Sequence, residues 1–332
     1  MPSARAQLVA IGTAVPERRL TNDDLAARVA TSDAWIVART GIRERRICEP
    51  GTGLSRLAVP AAQRCLQRAG VAAQDLDGII VATITPDMVM PATANLVQHQ
   101  LGACRAWGFD LANACNGFVA ALACATAWIE SGRARRVLII GGDIMSSIVD
   151  WDDRATCVLF GDGCGAVLVE AGPPDGPGVR SCQLWSDGSG GADLCVPLSG
   201  SAMPKTAEAL ARRDHCLKQQ GRTVFAHAVR RMSEAAQSIL RQEGLSAADL
   251  DLVVPHQANL RIIEPMAERL GVPMSKVVVN LERYGNTTAA TIPLALADAE
   301  AEGRLRAGSR VLLVAFGGGY AWGAAYVVWG RG

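Results

Sequence analysis

Three places in this 332-residue chain combine residue types and neighbours suited to chemistry. Cys115 stands in a run of small residues, Leu111-Ala112-Asn113-Ala114-Cys115-Asn116-Gly117, between a segment that reads as a strand and one that reads as a helix. A thiol at a helix N-terminus meets unpaired amides and the positive end of the helix dipole, which predicts a lowered thiol pKa and a nucleophile. An arbitrary cysteine is more often a small buried hydrophobe. The small neighbours and the strand-to-helix switch argue against that here. His256 lies in Val254-Pro255-His256-Gln257-Ala258-Asn259, just past a short β-branched run. Strand ends of this kind are where α/β proteins place ligands. His99, His215 and His227 have no such setting and read as ordinary surface or partly buried residues. The third place is Phe316-Gly317-Gly318-Gly319, after the apolar run 311–315. Its plain reading is a tight turn between two strands. Its chemical reading is an oxyanion hole, with one N–H from this loop and one from Cys115, because glycines let backbone amides come close to a ligand. Gly161-Asp162-Gly163-Cys164-Gly165 lacks dinucleotide-loop spacing and reads as a turn.

The elements that must position these residues follow from a repeat. Ala61-Ala62-Gln63, Leu66, Gly70, Ala73 and Asp75-Leu76-Asp77 recur 174 residues later as Ala235-Ala236-Gln237, Leu240, Gly244, Ala247 and Asp249-Leu250-Asp251. Arg136-Val137-Leu138-Ile139 recurs as Arg310-Val311-Leu312-Leu313 at the same offset. A period of half the chain is too long for a solenoid and implies two copies of one α/β unit with a site between them. In the first copy, residues 57–69, 92–101 and 116–131 read as helices, and 8–12, 79–82, 106–111, 137–140, 158–160 and 166–169 as strands. In the second, 224–243, 260–270 and 288–302 read as helices, and 252–254, 277–279 and 311–315 as strands. The fold class is therefore α/β, with mixed sheets built from crossover units. The Pro/Gly-rich stretch 171–178 marks the boundary between halves at 1–172 and 173–332. Residues 184–222 form a long polar excursion with no partner in the first copy, a place for specificity. Asn286 falls 171 residues after Cys115, close to the matching strand-to-helix turn.

Composition narrows the function. Hydrophobic residues make up 49% of the chain, enough for a large core. A net charge of +1 gives no global field toward nucleic acid. The longest apolar runs are too short for a membrane span, and the first residues read as a strand rather than a signal peptide. Ten cysteines without a CxxC pair suit reduced thiols in a cytoplasmic protein. With four histidines and no Cys/His cluster, no metal site is expected.

Taken together, these motifs resemble the β-ketoacyl-acyl-carrier-protein synthase III family, initiating condensing enzymes with a thiolase-like, layered αβαβα fold. The resemblance runs nearly end to end: Thr31 to Ile36, Arg39-Thr40-Gly41-Ile42, Asp110 to Phe118, Phe160 to Gly163, His256 to Arg261, Tyr284-Gly285-Asn286-Thr287 and Phe316 to Gly319. It implies a catalytic triad of Cys115, His256 and Asn286. It implies an oxyanion hole from the amides of Cys115 and Gly318. An acyl group passes from coenzyme A to Cys115; a malonyl-acyl-carrier protein is then decarboxylated and condensed with it. No metal or redox cofactor is required, coenzyme A entering only as a thioester substrate. By resemblance, Trp35 and Arg154 sandwich the adenine of coenzyme A. Thr31, Arg39, Gly221, Phe225 and Asn259 line the pantetheine channel, and Arg261 belongs to a basic patch for the carrier protein. The family is homodimeric, and Met90 stands where an aromatic side chain commonly reaches into the partner's acyl pocket.

Some residues depart from the family pattern. Ala226 replaces a usual lysine after Phe225, Glu268-Arg269 replaces a frequent lysine pair, and Asn116 follows Cys115 in place of a smaller residue. A Met at 90 suits a longer or branched primer. Three other readings compete: a starter-unit synthase or acyltransferase of secondary metabolism, a thiol hydrolase with a papain-type Cys-His-Asn set, and a silent binding protein on the same scaffold.

Overall fold

The computed structural model describes residues 4–331. Two sheets form its frame. The first has the order Arg5–Ala14, Gly163–Gly172, Arg136–Asp143, Gly78–Ala82, Trp107–Leu111, and the second the order Leu252–Pro255, Arg310–Gly317, Ala321–Val328, Gly178–Ser186. The chain passes from one sheet to the other across residues 173–177. Gly78–Ala82 is parallel to both its neighbours, and Leu252–Pro255 is parallel to Arg310–Gly317; the remaining pairings in the two sheets are antiparallel.

Side chains alternate along these strands and sort the core into three layers. Ile80, Ala82, Val137, Ile139, Val254, Leu313 and Ala315 face a shared inner layer. Ile79, Val81, Leu138 and Ile140 face the helix Ser55–Ala69 outside the first sheet. Val253, Leu312 and Val314 face Gly221–Glu243 and Leu260–Leu270 outside the second. Gly117–Glu130 and Thr291–Ala301 fill the inner layer, so most of their length is apolar and buried. The result is the layered αβαβα arrangement of a thiolase-like fold. The repeat-related helices Ser55–Ala69 and Gly221–Glu243 end on left-handed glycines, Gly70 and Gly244, each at φ 66°.

Two expected strands reduce to single bridges. Residues 158–160 contribute only Phe160, paired with Asn286, and residues 277–279 only Val277, paired with Val253. Both segments are apolar because they are buried, and the short run alone does not separate burial from strand pairing. Ala321–Val328 and Gly178–Ser186 complete the second sheet and went unread, their alternation being masked by small and polar residues. The ten cysteines are unpaired. Among the described residues no helix is long and apolar enough to cross a membrane, and no cluster of His, Cys, Asp and Glu could hold a metal ion.

Candidate active site

A cavity of about 860 Å³ opens between the halves and is lined by Cys115, His256, Asn286 and Gly317 to Ala321. Cys115 sits in a single 3-10 turn, Ala114–Asn116, directly before the helix Gly117–Glu130. Ala114 has φ 44°, a strained value for a residue with a side chain, and it delivers the next residue to the end of the first sheet. Space around Cys115 is tight. A Cβ on Gly317 would meet the Cys115 nitrogen at 2.7 Å and its Cβ at 3.1 Å, so only glycine fits there.

The expected lowering of the Cys115 pKa is overturned. Burial pushes the thiol upward, and the Asp143 carboxylate adds to the rise; the backbone amide of Cys115 itself opposes both. The helix dipole acts, but complete desolvation of a thiolate outweighs it. At rest Cys115 is therefore a thiol rather than a thiolate.

His256 lines the same cavity. Burial lowers its pKa from 6.5 to about 3, so the imidazole is neutral. Its Nδ1 lies 2.7 Å from Thr291 Oγ1, while the Thr291 hydroxyl donates to Thr288 O at 2.8 Å. With its one proton committed, Thr291 accepts from His256 Nδ1–H. That tautomer leaves Nε2 unprotonated and available to the cavity.

Asn286 is held from both sides of the halves' boundary. Its backbone N donates to Leu159 O at 2.8 Å, and its O accepts from Gly161 N at 3.1 Å. Its side-chain oxygen accepts from Thr288 N at 2.9 Å. The amide NH₂ is thus left as the group directed to a ligand. Asn286 is not the orienter of His256, which Thr291 supplies, so the geometry departs from the papain-type set.

Asp143, Thr288 and Thr291 were not singled out from sequence. Asp143 is fully buried and accepts from Thr83 Oγ1 at 2.9 Å, Ile84 N at 2.8 Å, and Thr85 N and Oγ1 at 3.1 and 2.9 Å. From the second half it accepts from Thr288 Oγ1 and, at 3.4 Å, from Ala289 N. It ties the turn beside Asn286 to the first sheet. A charged residue ending the buried run Ile139-Ile140-Gly141-Gly142 was the signal for it.

The remaining predicted residues divide. Trp35, Arg39, Arg154, Gly221, Phe225, Asn259 and Arg261 line the cavity, and Thr31 and Met90 do not. Arg154 stacks on Trp35 with its Cζ 4.9 Å from the ring centroid and donates to Ala30 O at 2.8 Å. Two van der Waals contacts need about 7 Å, so an adenine between them must first part the pair. Asn259 caps Leu260–Leu270 by accepting from Arg261 N, and Arg261 reaches over Phe225 at 6.0 Å. Met90 is 84% exposed beside exposed Met88 and Val89. Asn116 donates to Asn113 Oδ1 at 2.8 Å and lies buried under the turn.

The duplicated α/β fold, with Cys115, His256 and Asn286 at the junction, is that of a thiolase-like condensing enzyme. A family model described as 3-oxoacyl-[acyl-carrier-protein (ACP)] synthase III matches residues 109–188, and its C-terminal counterpart matches residues 240–329. The β-ketoacyl-[acyl-carrier-protein] synthase III of Roseiflexus sp. (strain RS-1) is 50% identical over 325 residues, 98% of each chain. The 3-oxoacyl-[acyl-carrier-protein] synthase III structure from Aquifex aeolicus VF5 is 41% identical with a TM-score of 0.91, covering 98% of this chain and 100% of that one. The priming β-ketosynthase of the R1128 polyketide pathway is 34% identical with a TM-score of 0.91, covering 100% of this chain and 99% of that one. The chain belongs to the β-ketoacyl-[acyl-carrier-protein] synthase III family.

Proposed function

We infer that this protein starts fatty-acid synthesis by condensing an acyl-CoA primer with malonyl-[acyl-carrier protein], releasing CoA and CO₂ and giving a 3-oxoacyl-[acyl-carrier protein]. The observation that carries the mechanism is the convergence of Cys115, His256 and Asn286 on one cavity, with the Asn286 NH₂ freed by the Thr288 bond. In the first half-reaction His256 Nε2 takes the Cys115 proton, and the thiolate attacks the primer thioester. The amides of Cys115 and Gly318 hold the developing oxyanion. The CoA thiolate leaves and takes the proton from His256.

The second half-reaction consumes one proton. Decarboxylation of the malonyl group leaves an enolate whose oxygen accepts from Asn286. Its negative charge raises the His256 pKa, so a proton carried on Nε2 becomes a second donor. The enolate carbon attacks the acyl carbonyl, and the departing Cys115 sulfur takes that proton. No metal or redox group enters these steps.

Trp35 and Arg154 bind the CoA adenine after their stack opens, Arg39, Gly221, Phe225 and Asn259 follow the pantetheine, and Arg261 meets the carrier protein. The working unit is a homodimer, supported by exposed Met88, Val89 and Met90 and by the half-buried edge strand Trp107–Leu111. Met90 then belongs to the partner's acyl pocket. The 50% identity over 98% of the chain to a β-ketoacyl-[acyl-carrier-protein] synthase III supports the primary pathway. The test is product analysis with acyl-CoA plus malonyl-[acyl-carrier protein] or malonyl-CoA. CO₂ and 3-oxoacyl-carrier product in equal amounts support the reading; free CoA and fatty acid with water as sole acceptor contradict it.

A further inference from the structure

The excursion at residues 184–222, unmatched in the first half, grips the glycine turn. Tyr320 follows Gly319 and is buried, and its hydroxyl donates to Asp193 Oδ2 at 2.6 Å. Their neighbours pair in both directions: Asp187 N donates to Tyr320 O at 2.9 Å and Tyr320 N to Asp187 O at 2.7 Å. Packing leaves no slack. A Cβ on Gly190 would meet the Tyr320 ring at 2.3 Å, and one on Gly318 would meet Leu194 O at 3.0 Å. Asp193 O accepts from Gln220 N at 2.7 Å, and Leu194–Cys195 pairs with Lys218–Gln219. Leu194, Cys195 and Gln219 line the cavity. One hydrogen-bonded unit therefore runs from the cavity wall to the turn carrying Gly318.

We propose that the Asp193–Tyr320 hydrogen bond is a latch that positions the Gly318 N–H for acyl transfer, making Asp193 and Tyr320 positioning residues. The proposal rests on Gly318 being an oxyanion donor. Three consecutive glycines carry no side chains to fix their own backbone, so the geometry of that turn must be imposed from outside. An oxyanion donor works only near 2.7–3.1 Å from the developing charge, and small misplacements are costly. Burial and the Asp193 carboxylate both push the Tyr320 phenol above its ordinary range, keeping it a donor.

Tyr320→Phe removes one oxygen and keeps the ring. With the acyl-CoA that labels Cys115 fastest in a panel from acetyl to octanoyl, single-turnover acylation read by intact mass should slow about tenfold. The acyl-CoA concentration giving half-maximal rate should change less than about twofold. Asp193→Ala should match it, Asp193→Asn should keep most of the rate by retaining an oxygen acceptor, and the double variant should be no slower than either single change. Wild-type acylation in Tyr320→Phe with only a lowered Tm overturns the latch, as do additive single effects. If wild-type protein takes no acyl group on Cys115, the reading of the site itself fails and the latch with it.

Discussion

Ala114 and Thr288 stand 174 residues apart, hold φ of 44° and 51°, and each opens a one-turn 3-10 segment leading into a buried helix. The scaffold positions match; the chemistry does not. The residue after Ala114 is Cys115, and the residue after Thr288 is Ala289. At the same offset Ala82 matches His256, and Asp143 matches Gly317. Each strand end packs on the other half's turn: Asp143 on Thr288 and Ala289, Gly317 on Cys115. One crossing is a polar clamp and the other a bare approach that leaves room for a nucleophile. Duplication thus supplies two equivalent corners, and divergence places a cysteine at one and an alanine at the other.

The sharpest way to break this division is Asn286→Ala on the supporting side. Acylation of Cys115 should persist while condensation slows about 10²–10³-fold, so acyl-enzyme accumulates in quenched-flow mass spectra. Equal loss of both half-reactions would show that the two sides do not divide the work. Next in size is Gly317→Ala, which adds a methyl against the Cys115 backbone. Overpacking of this kind costs about 1–3 kcal/mol, read as a lowered urea midpoint, and acylation should fall with it.

The buried imidazole gives a pH signature. Its pKa is about 3 when folded and 6.5 when exposed, so the unfolded chain binds the extra proton between those values. The stability it contributes is complete above pH 6.5 and is lost as pH falls toward 3. Wild-type stability should drop by up to about 1.4 kcal/mol per pH unit more than His256→Gln across that window. Denaturant titrations at several pH values measure this difference, and parallel curves would contradict it. A smaller effect separates the two strand ends: Asp143→Asn removes a charge that raises the Cys115 pKa. At a fixed pH, Cys115 should be alkylated faster by iodoacetamide in this variant than in wild type, and an unchanged rate would contradict the effect.

The repeat made the matching strands and helix ends legible because apolar spacing and terminal glycines are local signals. It misplaced one equivalence. Asn286 matches Ala112 rather than Cys115, since the true register is 174 throughout the turn and Ala289 is the counterpart of the nucleophile. Small-residue turns carry no periodicity to fix register. The direction of the Cys115 pKa was also misread, because helix position is visible in sequence and complete burial is not. Thr291 gave no sign of its bond to His256, which depends on a helix start packed 35 residues away.

The most direct test of the divided site is a pulse and chase on wild-type protein. Incubation with acyl-CoA should add one acyl mass, located on Cys115 by peptide mapping and absent from Cys115→Ala. Addition of malonyl-[acyl-carrier protein] should then discharge it with release of CO₂. Label on another residue, or discharge by water as fast as by the malonyl carrier, would contradict the proposed mechanism.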